Sequence, residues 1–203
     1  MIKAIETEYN GYKFRSRLEA RWAVFFDALH VPYEYEPEGF ELASGKKYLP
    51  DFRVKCWGTR GEIGEKPFDL YIEVKGEMTE YDAARIKEFA SIPEFSLFDS
   101  DEEWLQKVEQ SNSVLIVGQI PPKGGSCDSS AVKAYDEMNG IDIYPFNYEL
   151  IDGDYFAAYP AAHKGKFFLW GDDSNYIWNV QEVEDAYSVA RQARFEHGEK
   201  LII

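Results

Sequence analysis

Apolar residues recur at helical intervals over residues 13–30, KFRSRLEARWAVFFDALH, where Phe14, Leu18, Trp22, Phe25 and Leu29 are spaced by four, four, three and four. Those intervals put all five on one stripe of a helix. Val31-Pro32 ends it, because the residue before a proline is pushed out of the helical region. The period then changes: residues 33–42, YEYEPEGFEL, alternate aromatic with acidic until Pro37 and Gly39 interrupt, which predicts a strand with a bend or bulge. Residues 48–54, YLPDFRV, predict a second strand and 68–75 a third. A helix is predicted over 79–91 with Thr79 as its cap. Ser100 with Glu103 is a capping-box pattern for a short acidic helix near 101–110. Residues 114–120, VLIVGQI, form the most apolar strand of the chain, of the kind buried on both faces in a central sheet.

Beyond Pro121-Pro122 the pattern is weaker. PPKGGSCDSS has the composition of a loop. KFFLW (166–170) and YIWNV (176–180) flank GDDSN and predict a hairpin. Val183, Ala186, Tyr187, Ala190 and Arg194 repeat at helical spacing over 182–197, with Gly198 placed to terminate a last helix. Strands separated by helices predict a mixed α/β fold. At 203 residues the chain suits a single domain, 1–203, with a core over 1–120 and an extension, 121–203, packed on it.

Composition narrows the function. The longest purely apolar run, Trp22 to Phe26, is too short to span a membrane. Residues up to Glu6 and Glu8 contain no apolar signal core, so a cytoplasmic location is expected. Cys56 and Cys127 are too few for a disulfide framework or a zinc knuckle, so any metal should be held by oxygen. The net charge of −15 is uneven: residues 1–60 carry ten Lys/Arg against nine Asp/Glu, a net of +1, and residues 61–203 carry −16.

The candidate chemistry lies in DLYIEVKGEM, residues 69–78. Alternation puts Ile72 and Val74 on one face of the strand and Tyr71, Glu73 and Lys75 on the other. In YLPDF, Pro50 marks an interruption where Asp51 is aimed to the polar side. If the second and third strands pair, Asp51 lies beside Glu73 and Lys75. Converging carboxylates repel unless a cation joins them, and Mg²⁺ binds through one or two carboxylates, waters and substrate phosphate. A lysine beside them orients or deprotonates a water, or stabilises charge on phosphorus. The alternative is an ordinary Glu-Lys ion pair on a solvated edge.

Pro50-Asp51 followed by Glu73-Val74-Lys75 resembles the signature of the PD-(D/E)xK nuclease superfamily. More specifically, FRSRLEARWAVFFDAL, YEYEPEGF, YLPDF and YIEVKG look like a group of small phage-type nuclease-like proteins, and the terminal ARQARFEHGE is similar to their last helix. The resemblance covers residues 12–76 well. It implies a restriction-endonuclease-like core of a helix, three strands, a helix and a strand. It further implies an enzyme that hydrolyses DNA phosphodiesters with Mg²⁺, or Mn²⁺ in its place. On this pattern Asp51 and Glu73 are metal ligands, the Val74 carbonyl is a third, Lys75 is the catalytic lysine, and Glu19 is the helix acid that supports the metal. Glu19 also fits a capping box, Ser16-Arg17-Leu18-Glu19.

Arg15, Arg17 and Arg21 are candidates for phosphate contacts. Their alternative is a solvated helix face with Arg15 and Glu19 as an i,i+4 pair. Lys123 is read as part of a linker, Tyr33, Tyr35 and Phe40 as core, and Arg191 and Arg194 as structural. Paired cuts in two strands would usually require a homodimer or two bound copies. Two other functions stay open: an acidic, non-cutting binder of a partner protein through the later half, or a nuclease for RNA, branched or small nucleotide substrates.

Overall fold

The computed structural model describes residues 5–57, 66–76, 79–90, 112–120, 158–171 and 180–195. β1 (Thr7–Tyr9) and β2 (Tyr12–Phe14) pair antiparallel across Asn10-Gly11. The φ values there, 47° and 82°, suit the two-residue turn that Asn-Gly favours. The first helix therefore starts later than its apolar stripe predicts. Phe14 is a buried strand residue, and Ser16, extended at φ −144°, caps α1 (Arg17–Ala28) by accepting the Glu19 N–H. At the other end His30 takes a left-handed φ of 54°, and the N–H groups of His30 and Val31 reach back to the carbonyls of Asp27 and Phe26. This Schellman arrangement stops the helix just before Pro32.

The central sheet is mixed, with helices on both faces. β6 (Phe52–Cys56) and β7 (Phe68–Val74) are antiparallel, Phe52 opposite Ile72 and Val54 opposite Leu70. β8 (Ser113–Val117) runs parallel to β7. The other edge of β6 is shared: β3 (Tyr33–Tyr35) pairs with residues 52–54, and β10 (Lys166–Gly171) pairs at Cys56. β9 (Ala158–His163) lies antiparallel to β10, so the order runs β8, β7, β6, β10, β9.

Two expectations change here. The strand predicted over 33–42 divides into β3 and β4 (Phe40–Glu41), and the one over 48–54 divides at Pro50 into β5 (Lys47–Tyr48) and β6; β4 and β5 form their own ribbon. β8, expected to be buried on both faces in a central sheet, has all five of its residues buried and ends the sheet among the described residues. Of the hairpin predicted between 166–170 and 176–180, the first strand is β10, whose antiparallel partner is β9, and residues 172–179 lie outside the described residues. One edge of β10 is taken by β9 and the other meets β6, and Val180 already begins α3 (Val180–Gln192). The β9–β10 turn uses Lys164 and Gly165 at φ 52° and 73°, and a Cβ on Gly165 would sit 3.0 Å from the His30 carbonyl oxygen. The segments 101–110 and 121–130, with Lys123 and Cys127, lie outside the described residues.

The sheet separates two apolar layers. Phe52, Val54, Leu70, Ile72, Leu115 and Val117 face α1 and α3, whose Phe25 and Tyr187 stack at 4.6 Å. Tyr71, Val114 and Ile116 face Ile86 and Phe89 of α2 (Glu80–Ala90), together with Tyr48. Thr79 caps α2 as expected: its Oγ1 accepts the Asp82 N–H at 3.1 Å and donates to the Asp82 carboxylate at 2.6 Å. Among the described residues no helix is long and apolar enough to cross a membrane.

Candidate functional site

Asp51 precedes β6 by one residue, and extending the Phe52–Ile72 register by one step sets it opposite Glu73. Opposed residues share a face, here the one toward α2. Both carboxylates are buried, Asp51 at 2% exposure and Glu73 at 4%. The Val74 N–H donates to Asp51 Oδ2 at 2.7 Å, so Val74 meets Asp51 through its nitrogen. Glu73 accepts the Tyr48 hydroxyl at 2.7 Å on Oε2 and pairs with Lys75 Nζ at 2.5 Å through Oε1. Lys75 also lies 3.9 Å from Asp82. The Glu73–Lys75 ion pair is real, but it is no solvated edge. β7 runs between β6 and β8, and the pair adjoins a second buried carboxylate.

Glu19 is the third buried acid, at 6% exposure. Its two readings coincide. Its backbone N–H is capped by Ser16, while its carboxylate accepts the Ser16 hydroxyl at 2.7 Å, the Tyr35 hydroxyl at 2.7 Å and the Arg15 N–H at 3.1 Å. Arg15 bridges the acids: its guanidinium pairs with Asp51, lies 2.9 Å from Glu36, and comes within 4.0 Å of Glu19. Arg15 is therefore committed to the carboxylates. Arg17 and Arg21, by contrast, line a separate groove with residues of α3, and no member of the carboxylate cluster lines it.

The electrostatics follow from burial. Asp51 is pushed up to about 8, first by desolvation and then by Glu73 and Glu19. The Val74 N–H and Arg15 pull the other way without prevailing; the Arg15 side chain is about half exposed, which lets solvent screen it. Burial lowers Lys75, yet Glu73 and then Asp51 and Asp82 outweigh it, so it moves above the usual lysine range and holds its proton. Tyr48 rises through burial and the adjacent Glu73.

Tyr48 and the Arg15–Asp51 pair were not anticipated from sequence as parts of this site. A signal existed for Tyr48: a tyrosine three residues before Asp51 in a buried stretch needs an acceptor for its hydroxyl. Nothing local marks Arg15 as a partner of Asp51.

Among the described residues, no three of His, Cys, Asp and Glu are gathered as a ready cage for a metal ion. Mg²⁺ does not require one, since it is held by one or two carboxylates with waters and phosphate oxygens. Two adjacent buried carboxylates whose repulsion a cation would relieve fit that demand, on condition that Arg15 yields its place on Asp51. No family model, curated protein or solved structure matches the chain.

Proposed function

We propose that the chain is a metal-dependent nuclease of the PD-(D/E)xK kind, with a restriction-endonuclease-like core made of α1, β3, β6, β7, α2 and β8. The observation that carries this reading is the meeting of Asp51 and Glu73 from neighbouring strands, both buried, with the Lys75 ammonium on Glu73. A Mg²⁺ or Mn²⁺ ion held by Asp51 and Glu73 would supply Lewis-acid charge and a more acidic water.

The chain's own groups do the rest. Lys75, protonated, donates to a non-bridging phosphate oxygen and stabilises the charge that gathers on phosphorus. The Val74 N–H and the Tyr48 hydroxyl fix the orientation of Asp51 and Glu73. Glu19 holds the Arg15 backbone, and with it the guanidinium that pairs with Asp51. In the reaction a water oxygen bonds to phosphorus, the bond from phosphorus to the sugar oxygen breaks, and that oxygen leaves with a proton.

The test is incubation with supercoiled plasmid, linear duplex, single-stranded DNA and RNA, each with Mg²⁺, Mn²⁺ or EDTA. Metal-dependent cutting is expected, lost in Lys75→Ala and in Asp51→Ala; cutting that survives both substitutions refutes the assignment. One observation favours the non-cutting binder instead: each oxygen of Asp51 and Glu73 already has a donor within the protein. That reading gains if no substrate is cut under any condition.

A further inference from the structure

Between α1 and the end of α3 lies a groove of about 710 Å³, lined by Arg17 and Arg21 from the first helix, by Arg191 and Gln192 from the second, and by Arg194 and Phe195 just beyond it. Every charged lining residue is an arginine, in a chain whose acids outnumber its bases 37 to 22. Four guanidinium groups around one space repel one another, a cost that an anionic ligand would remove. Their scaffold is firm, because Trp22 and Phe25 of α1 pack edge-on and stacked against Tyr187 of α3.

A second observation points to a ligand. Arg21 Nε is buried and has no hydrogen-bond partner. A desolvated donor of this kind is unfavourable until an acceptor reaches it. Arg17 and Arg191 also interact within the protein, so the unmet donor belongs to Arg21. Guanidinium forks suit phosphate oxygens in particular, since they present parallel N–H groups to two oxygens at once. The volume falls in the range of pockets that take whole organic ligands, ~300–1,000 Å³, more than a lone phosphate needs. Phe195 adds an aromatic wall on which a sugar or base can lie.

Position completes the argument. Arg17 stands two residues from Arg15, which pairs with Asp51, so their Cα atoms are at most about 7 Å apart. The groove therefore neighbours the start of α1, on the α1–α3 side of the sheet, while Asp51 and Glu73 lie on the α2 side. We infer that this four-arginine groove binds the sugar–phosphate backbone of a nucleic-acid strand. The choice of nucleic acid over other polyanions rests on the nuclease reading. Arg191 and Arg194, expected from sequence to be structural, thereby become half of a binding surface.

The experiment is fluorescence anisotropy with a labelled DNA duplex and a labelled single strand, in EDTA, across about 50 to 200 mM salt. Binding is expected to weaken with salt. The double variant Arg191→Gln/Arg194→Gln should flatten the log–log slope for duplex by about 1.8, at ~0.9 for each phosphate no longer neutralised. Arg191→Lys/Arg194→Lys should keep most of the slope, which a merely structural role would not predict. Arg194 is exposed and lies two residues beyond the end of α3, so Arg194→Gln alone serves if the double variant does not fold, with the slope reduced by about 0.9.

An unchanged slope in the glutamine variants overturns the inference. So does the absence of salt-dependent binding by the parent chain, or displacement of DNA by polyglutamate as readily as by unlabelled DNA. Because no metal is present and nothing is cut, the result stands apart from the Lys75→Ala cleavage assay.

Discussion

Replacing Asp51 by asparagine should change how stability depends on pH. Asp51 has an ordinary value of 3.8 and is pushed up to about 8 in the folded protein. Between those limits the folded state holds a proton that the unfolded chain has released, so stability falls as pH rises through that window. From 3.8 to pH 7 is about 3 pKa units, and at ~1.4 kcal/mol each the loss has an upper bound of roughly 4 kcal/mol. Asparagine carries no titrating proton and removes this slope. It also leaves Arg15 without its carboxylate, but that penalty does not vary over the same range and shifts the curve without tilting it.

The assay is urea unfolding of parent and Asp51→Asn in EDTA from about pH 4 to 8. Between about pH 4 and 7 the parent should lose stability relative to the variant by up to roughly 4 kcal/mol, at about 2–4 °C of Tm per kcal/mol for a chain of this size. Millimolar Mg²⁺ should restore the parent near pH 8 and leave the variant unchanged, since a ligand stabilises only the state that binds it. Parallel pH curves would refute the claim that burial and neighbouring acids govern Asp51.

Tyr48→Phe removes the hydroxyl from Glu73 and leaves a buried carboxylate oxygen one donor short. It should cost about 1–3 kcal/mol in urea unfolding and lower metal-dependent cutting. Gly165→Ala places a Cβ 3.0 Å from the His30 carbonyl oxygen at a φ of +73°. A thermal melt should register a loss of about 1–2 kcal/mol, with nucleic-acid binding unaltered.

The polar face of β7 was legible because strand alternation depends on nothing beyond the strand: once 68–74 is extended, Glu73 and Lys75 must leave on the side opposite Ile72 and Val74. Asp51 followed from the habit of consecutive strands to pair. Other features depended on tertiary packing that spacing does not encode. Phe14 matches the helical interval to Leu18, which masked the Asn-Gly turn that places it in β2. Likewise, β10 has its antiparallel partner in AYPAAH, a segment of alanine and proline with little strand preference of its own. Arg191 and Arg194 lie far along the chain from Arg17 and Arg21, and only the packing of α3 on α1 brings them together.

The shared edge of β6 has a consequence for synthesis. β3 covers one stretch of that edge soon after it emerges, but Cys56 must await Phe167, which is made far later. Until then the nascent chain presents part of an unpaired strand, the kind of template on which other chains nucleate. Pairing across so long an interval is also slow to close. Expression in which translation pauses before residue 166 should therefore favour aggregation, and holding chaperones should relieve it.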